Sequence, residues 1–249
     1  MPVRRAAERR AARSPHTLCA QTQHKTHRTS LPHKSTQIHS TDSPHRITPQ
    51  AHHTDSPTRA MPAPALDHFI AQALAQSHTA SSPADSVQAL APLMLDLIDA
   101  AGTFLEPQHF QGNADHYARN LIYAAPDNGI SLYALVWLPG QWTPVHDHGS
   151  WGVVGIVEGV LEERSYVRLS PDRGAGSRID LVRGGVILLG RGAVTSFVPN
   201  PDHIHITGVP LQRPRAVSLH LYGRTMNSFH LYDVAAGTRK RVDVAHNKS

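Results

Sequence analysis

His146 and His148 stand one residue apart in the segment Gly140-Gln-Trp-Thr-Pro-Val-His146-Asp-His148. On an extended chain, residues at i and i+2 point to one face, so two imidazoles there can share a metal ion. A second histidine pair follows in Gly192-Ala-Val-Thr-Ser-Phe-Val-Pro199-Asn-Pro-Asp202-His203-Ile-His205, and either member could add a third nitrogen. Further on, Ser218-Leu-His220-Leu-Tyr222 places three hydrogen-bonding side chains at i, i+2 and i+4, on the face opposite Val217, Leu219 and Leu221. Taken alone, that pattern reads as a solvent-facing polar stripe.

The elements that must position these residues begin after residue 60. All 5 Phe, 3 Trp and 6 Tyr lie beyond it, and a segment without large apolar side chains cannot offset its chain entropy. Residues 1–61 are therefore expected to be a disordered basic tail. Three origins stay open for it: upstream sequence before a start at Met61, a disordered tail with a role, or a targeting segment. On any of them, a chain starting at Met61 is expected to fold and turn over. Residues 1–60 hold 10 Lys and Arg against 3 acids, leaving 14 against 16 in the remainder. The basic balance thus belongs to the tail, which argues against a folded nucleic-acid-binding face. Eight of the 19 histidines also fall there, irregularly spaced, and read as composition rather than a site.

The single cysteine, Cys19, lies in the tail. The folded part therefore has no disulfide, thiolate ligand or cysteine nucleophile, which fits a reducing, cytoplasmic compartment. No stretch is apolar and long enough to span a membrane.

Leu66, Phe69, Ile70, Ala73 and Leu74 recur at helical spacing. A second helix is expected with Asp85 and Ser86 as candidate caps, an apolar stripe of Val87, Leu90, Met94, Leu97 and Ala101, and Pro92 as a dividing point. A short third helix is expected over 107–118. Residues 62–119 thus form a helical N-terminal part and 120–249 a β part, with strands at 131–138, 152–157, 160–169, 186–189, 215–222 and 228–232. Many short strands without intervening helices predict a mainly β, antiparallel barrel or sandwich.

The spacing around the first histidine pair resembles the first motif of the cupin superfamily, Gly-x5-His-x-His-x3–4-Glu-x6-Gly, with Gly140 and Gly159 at its ends. It departs at the acid, where this chain has Gly152, so a metal would be held by histidines alone. The second motif puts its ligand three residues after a turn residue; Asp202 fits that turn and favours His205 over His203, which reads as a rim histidine. Val209 stands in place of the motif's usual asparagine.

The segments Pro144-Val-His-Asp-His148 and Ala216-Val-Ser-Leu-His-Leu-Tyr222 further resemble the cysteine dioxygenase family, bacterial thiol dioxygenases of the cupin superfamily, from about Tyr117 to Tyr232. That resemblance implies a cupin-type antiparallel β-barrel (double-stranded β-helix), preceded by two or three helices. It also implies ferrous iron, Fe(2+), on His146, His148 and His205. Tyr222 would lie beside the substrate, with Ser218 and His220 holding it in place. Mammalian members join the tyrosine to a cysteine where this chain has Gly152, so the crosslink is impossible here. Three neutral imidazoles leave iron dipositive with three adjacent open positions, enough for a chelating aminothiol and dioxygen.

Tyr117-Ala-Arg119-Asn120 resembles the Tyr-x-Arg-Asn element of members that use cysteine, in which the arginine forks onto the substrate carboxylate, so that Arg119 and Tyr117 are the expected substrate-binding residues. Members that use 3-mercaptopropionate tend to have glutamine there. The text at Trp137-Leu-Pro-Gly140 and Trp151-Gly-Val-Val154 looks more like that second group. The expected partners are a small-molecule thiol and O2, with L-cysteine as substrate, 3-mercaptopropionate as the alternative, and no nucleic acid or membrane. Another cupin enzyme, such as an isomerase, or a non-enzymatic metal-binding sensor, is a more distant alternative. The oligomeric state stays open.

Overall fold

The computed structural model describes residues 65–244, apart from 127, 172–173, 175–177 and 200–202. The tail, Cys19 and the turn at Asp202 lie outside the described residues.

Helix α1 (Ala65–Thr79) buries Phe69, Ile70 and Ala73, the middle of the apolar stripe that the spacing marks out. Helix α2 (Pro83–Asp99) starts one turn earlier than the candidate caps at Asp85 and Ser86. Ser82 is the cap instead: its Oγ accepts from the Asp85 backbone N–H at 3.2 Å, and Pro83 occupies the first helical position, where no N–H is needed. Pro92 does not divide α2. It sits on the exposed face one turn after exposed Gln88, so water can serve the carbonyl that loses its partner.

The third helix expected over 107–118 is only a 3-10 turn, Pro107–Phe110. Asn113 Oδ1 accepts from the backbone N–H of Asp115 at 2.8 Å and turns the chain, and strand β1 (Ala118–Ala124) then begins before Arg119. Pairing with β2 (Ser131–Trp137), in which Arg119 lies opposite Leu135, overrides the local helical tendency.

The remaining strands are β3 (Gly152–Glu158), β4 (Val160–Arg168), β5 (Leu181–Gly190), β6 (Val194–Phe197), β7 (Ile204–Gly208), β8 (Ala216–Tyr222), β9 (Ser228–Asp233) and β10 (Thr238–Asp243). Strand β5 runs longer than the expected 186–189 because a glycine pair conceals its first half. The Cβ of a side chain at 184 would lie 2.5 Å from Ser165 Oγ, the atom that accepts from the Gly185 N–H.

Among the described residues the strands form a five-stranded sheet, β1-β2-β8-β3-β6, a three-stranded sheet, β5-β4-β7, and the ribbon β9-β10. Every pairing is antiparallel. This is the cupin arrangement of mainly β, antiparallel strands behind two helices, although the two larger sheets are not joined into one closed ladder. Alternation divides the five-stranded sheet cleanly. Leu132, Ala134, Val153, Leu219 and Leu221 face outward and pack with α1 and α2. Tyr133, Leu135, Trp137, Val154, Ile156 and Tyr222 face inward, toward the interior of the barrel.

Candidate metal centre and active site

Gly140, with φ +85°, allows the turn that follows β2, and Leu138 N–H donates to Gln141 Oε1 at 2.8 Å to close it. From that turn the chain runs back along β7. Thr143 and Thr207 bond each other, and His146 and His205 exchange backbone hydrogen bonds of 3.0 Å in both directions. An antiparallel pair of this kind sets His146 and His205 side by side, and the i, i+2 spacing brings His148 to the same face. The three rings meet with centroids 4.8, 4.7 and 5.0 Å apart, and one nitrogen from each lies within 4.8 Å of the others.

All three rings are buried, and burial holds each below the ordinary histidine range, reinforced by neighbouring imidazoles at His146 and His148 and partly opposed by Glu163 at His205. They are therefore neutral near pH 7, the state in which imidazole binds a metal. His146 Nδ1 stands 3.0 Å from the Pro144 carbonyl, to which it can only donate; its Nε2 is then the lone-pair nitrogen. Both ring nitrogens of His205 are buried with no hydrogen-bond partner among the described residues, although Nδ1 stands 3.1 Å from Glu163 Oε2. A converging, neutral, all-nitrogen donor set with an orphaned buried lone pair fits a divalent transition metal. Of the alternatives in the second motif, it is His205 that joins this group, while His203 turns its Nε2 to Glu163 at 3.2 Å.

Opposite these rings, the inner face of the five-stranded sheet carries a buried chain of polar groups. Trp137 Nε1 donates to Ser218 Oγ at 3.0 Å, Ser218 Oγ lies 2.9 Å from His220 Nε2, and His220 Nδ1 lies 3.2 Å from the Tyr222 hydroxyl. The β8 triad is thus buried, not a solvent-facing stripe, because its face of the sheet is turned inward, with Tyr133, Leu135, Trp137 and Val154, toward the interior of the barrel. Indole can only donate, so Ser218 accepts from Trp137; with Ser218 donating on to His220 Nε2 and His220 Nδ1–H to the Tyr222 oxygen, every proton of the chain except the phenol's has an acceptor. The phenol proton of Tyr222 then faces the cavity. Burial pushes the His220 pKa down to about 3 and raises that of Tyr222, so the ring stays neutral and the phenol protonated.

Arg119 enters the same cavity from β1. Nη2 donates to the Met226 carbonyl at 2.7 Å, and the guanidinium carbon lies 5.0 Å from the centroid of the Tyr133 ring. Nη1 is buried with no hydrogen-bond partner among the described residues. Tyr117 stacks on Trp137 with centroids 4.6 Å apart. Arg119, Tyr117, Tyr222, His220 and the three metal-side histidines line one cavity, whose other walls are largely apolar, among them Leu135, Val154, Phe197 and Met226. Ser218 does not line it and reaches it only through His220.

Three residues of the site were not singled out by motif. Glu163 is buried against His203 and His205; its signal was parity, since it shares the inward face of β4 with Leu161. Trp137 carried no sign that its N–H would reach β8. Phe197 fills the place of the missing motif acid: a Cβ on Gly152 would come within 2.4 Å of its ring. Val209, standing for the motif's asparagine, is simply core.

Fold and site together define a metal-binding cupin. Residues 75–235 match the family described as cysteine dioxygenase type I, and the chain belongs to that family. Membership makes it an oxygenase-type enzyme of the thiol dioxygenase kind, acting on a small molecule with O2. Among solved structures, the chain is similar to a cupin-like protein from Thermotoga maritima, at 14% identity over 56% of this chain and 88% of that one, with a TM-score of 0.35. It is also similar to the DMSP lyase DddQ from Ruegeria pomeroyi, at 16% identity over 62% and 72%, with a TM-score of 0.33. A third is hydroquinone 1,2-dioxygenase PnpCD with Cd2+ and 4-hydroxybenzonitrile, at 13% identity over 45% and 67%, with a TM-score of 0.35. No helix among the described residues is long and apolar enough to cross a membrane.

Proposed function

We propose that the chain is an iron thiol dioxygenase that oxidises L-cysteine with O2 to cysteine sulfinic acid, both oxygen atoms ending on sulfur. The observation that carries a carboxylate-bearing thiol as substrate is the buried, unpartnered Nη1 of Arg119 in the same cavity as the three imidazoles, and the Tyr117-Ala-Arg119-Asn120 resemblance favours L-cysteine among such thiols. A buried guanidinium donor without a partner is costly, and a substrate carboxylate supplies one in a charge-assisted bond.

His146, His148 and His205 would hold Fe(2+), which would supply coordination sites for thiolate and dioxygen and relay electrons between them, the thiolate sulfur being oxidised and dioxygen reduced. Around it, this chain's residues orient the reactants. Arg119 holds the carboxylate, and Tyr117 braces Trp137 by stacking. Tyr222 presents its phenol proton to the substrate, positioned by His220 and Ser218. The apolar walls exclude water, which strengthens each of these contacts. The segments 137–140 and 151–154, which look like those of 3-mercaptopropionate users, favour that thiol as the second reading. Oxygen consumption and sulfinate formation by the iron-loaded protein with a panel of small thiols decide between them. L-cysteine is expected to give the highest kcat/KM, and a higher value for 3-mercaptopropionate would reverse the assignment.

A further inference from the structure

A metal-binding imidazole works best when its other nitrogen is held, because that contact fixes both the ring's orientation and which nitrogen carries the proton. His146 has the Pro144 carbonyl for this purpose. His205 is approached by a residue to which neither the motifs nor the proposed reaction gives a role, whereas His148 Nδ1 has no hydrogen-bond partner among the described residues and its ring is held by stacking. His205 Nδ1 stands 3.1 Å from Glu163 Oε2, and the other oxygen, Oε1, stands 3.2 Å from His203 Nε2. Pairing of β4 with β7 sets Glu163 opposite Thr207 and so diagonal to His205, a reach suited to a long side chain. The His203 ring lies parallel to Phe197, at 7° with centroids 4.7 Å apart, and Phe197 in turn stacks on His148 at 4.3 Å. A continuous belt therefore runs from His205 through Glu163, His203 and Phe197 to His148.

The chemistry of Glu163 points one way. A buried carboxylate is tolerated where donors surround it, and the described ones here are these two histidines. The negative charge of Glu163, 3.1 Å from His205 Nδ1, favours the proton on that nitrogen and so leaves the lone pair on Nε2, which is buried without a hydrogen-bond partner among the described residues.

We propose that Glu163 is a positioning residue for the metal group: clamped by His203, it fixes the tautomer and aim of His205 and so raises metal affinity. This rests on the reading of His146, His148 and His205 as metal ligands. The clamp acts before any thiol binds, so its effect belongs to metal affinity and ligand field rather than to substrate selection.

The test uses full-length protein stripped of metal and titrated anaerobically with Co(II), with affinity read by competition against a chelator and geometry by the visible d–d bands. Glu163→Gln, which keeps the shape and removes the charge, is expected to weaken Co(II) binding roughly 10- to 100-fold and to shift the bands. Glu163→Asp, charged but too short to reach both rings, should fall between it and wild type. His203→Gln should keep Co(II) bound with a loss of roughly threefold or more, and should add little in the Glu163→Gln background. A folded Glu163→Gln protein with wild-type affinity and spectrum would overturn the proposal. If that variant does not fold, His203→Gln decides in its place, and wild-type affinity there overturns it. Failure of the ligand reading looks different: His205→Ala would then bind Co(II) as wild type does.

Discussion

The cavity has two walls of opposite construction. The metal-side wall is built from the loop between β2 and β3 and from the short strand β7, and its histidines are set by a few exchanged backbone bonds and by side chains that brace them. The substrate-side wall is the inner face of a five-stranded sheet, on which Arg119, Trp137, Ser218, His220 and Tyr222 come from three consecutive neighbours, β1, β2 and β8. Regular strands hold a row of side chains at fixed spacing and direction. A segment that pairs over only a residue or two and is braced by particular contacts can instead bring rings from separate parts of the chain to one point. On the proposed reading, the division places metal affinity on one wall and choice of substrate on the other.

The sharpest way to break that division is on the metal side. His205→Ala should remove most iron and all turnover, whereas His203→Ala should leave iron bound, as measured by metal analysis after anaerobic loading. The reverse outcome would move the ligand to the neighbouring histidine. On the substrate side, Arg119→Gln should lower kcat/KM for L-cysteine by at least about tenfold, while that for 3-mercaptopropionate falls less or rises. Its iron content should match wild type; a parallel loss of iron would show that the walls are not independent.

Tyr222→Phe removes one donor and no ligand, so kcat should fall by roughly tenfold at unchanged iron content. Because burial raises the Tyr222 pKa, the phenol does not ionise in the working range. Variant and wild type should then share the same alkaline limb up to about pH 9, and a limb lost with the hydroxyl would mean that Tyr222 titrates.

The smallest effect is on stability. His220 is held at about 3 in the fold against 6.5 when free, so the unfolded chain takes up a proton that the folded one refuses. Stability is therefore full above pH 6.5 and is lost as pH falls from there toward 3. The melting temperature of metal-free protein should drop by a few degrees or more on acidification from about pH 7 to about pH 5. A flat profile would contradict a buried neutral ring.

How much of this was legible follows the same division. His146, His148 and His205 could be read because a metal group made from strand segments leaves close sequence spacings, and Ser218, His220 and Tyr222 because a strand repeats every second residue. Arg119 was legible as a residue but not in its setting: it lies on a strand whose pairing with β2 outweighs the helical tendency of the preceding text. Glu163 and Trp137 act across strand pairs remote in sequence, where only parity on β4 gave a trace of the first and nothing marked the second. The cap at Ser82 was missed because Asp85 competes with it locally; the two side chains bond each other at 2.9 Å.

Gly152 lies opposite Tyr222 in the pairing of β3 with β8, and the Phe197 ring stands where its side chain would begin. Positions 152 and 197 are consequently a single choice written at two places in the chain. Enlarging residue 152 while Phe197 stays would force overlap, and shrinking residue 197 while Gly152 stays would open a void beside His148. Each change alone lowers stability, and the two together restore much of it, so a double-mutant cycle should register strong coupling. For a lineage passing between a side chain at 152 and an aromatic ring at 197, either order of substitution crosses a less stable intermediate, a barrier that keeps descendants of each packing apart.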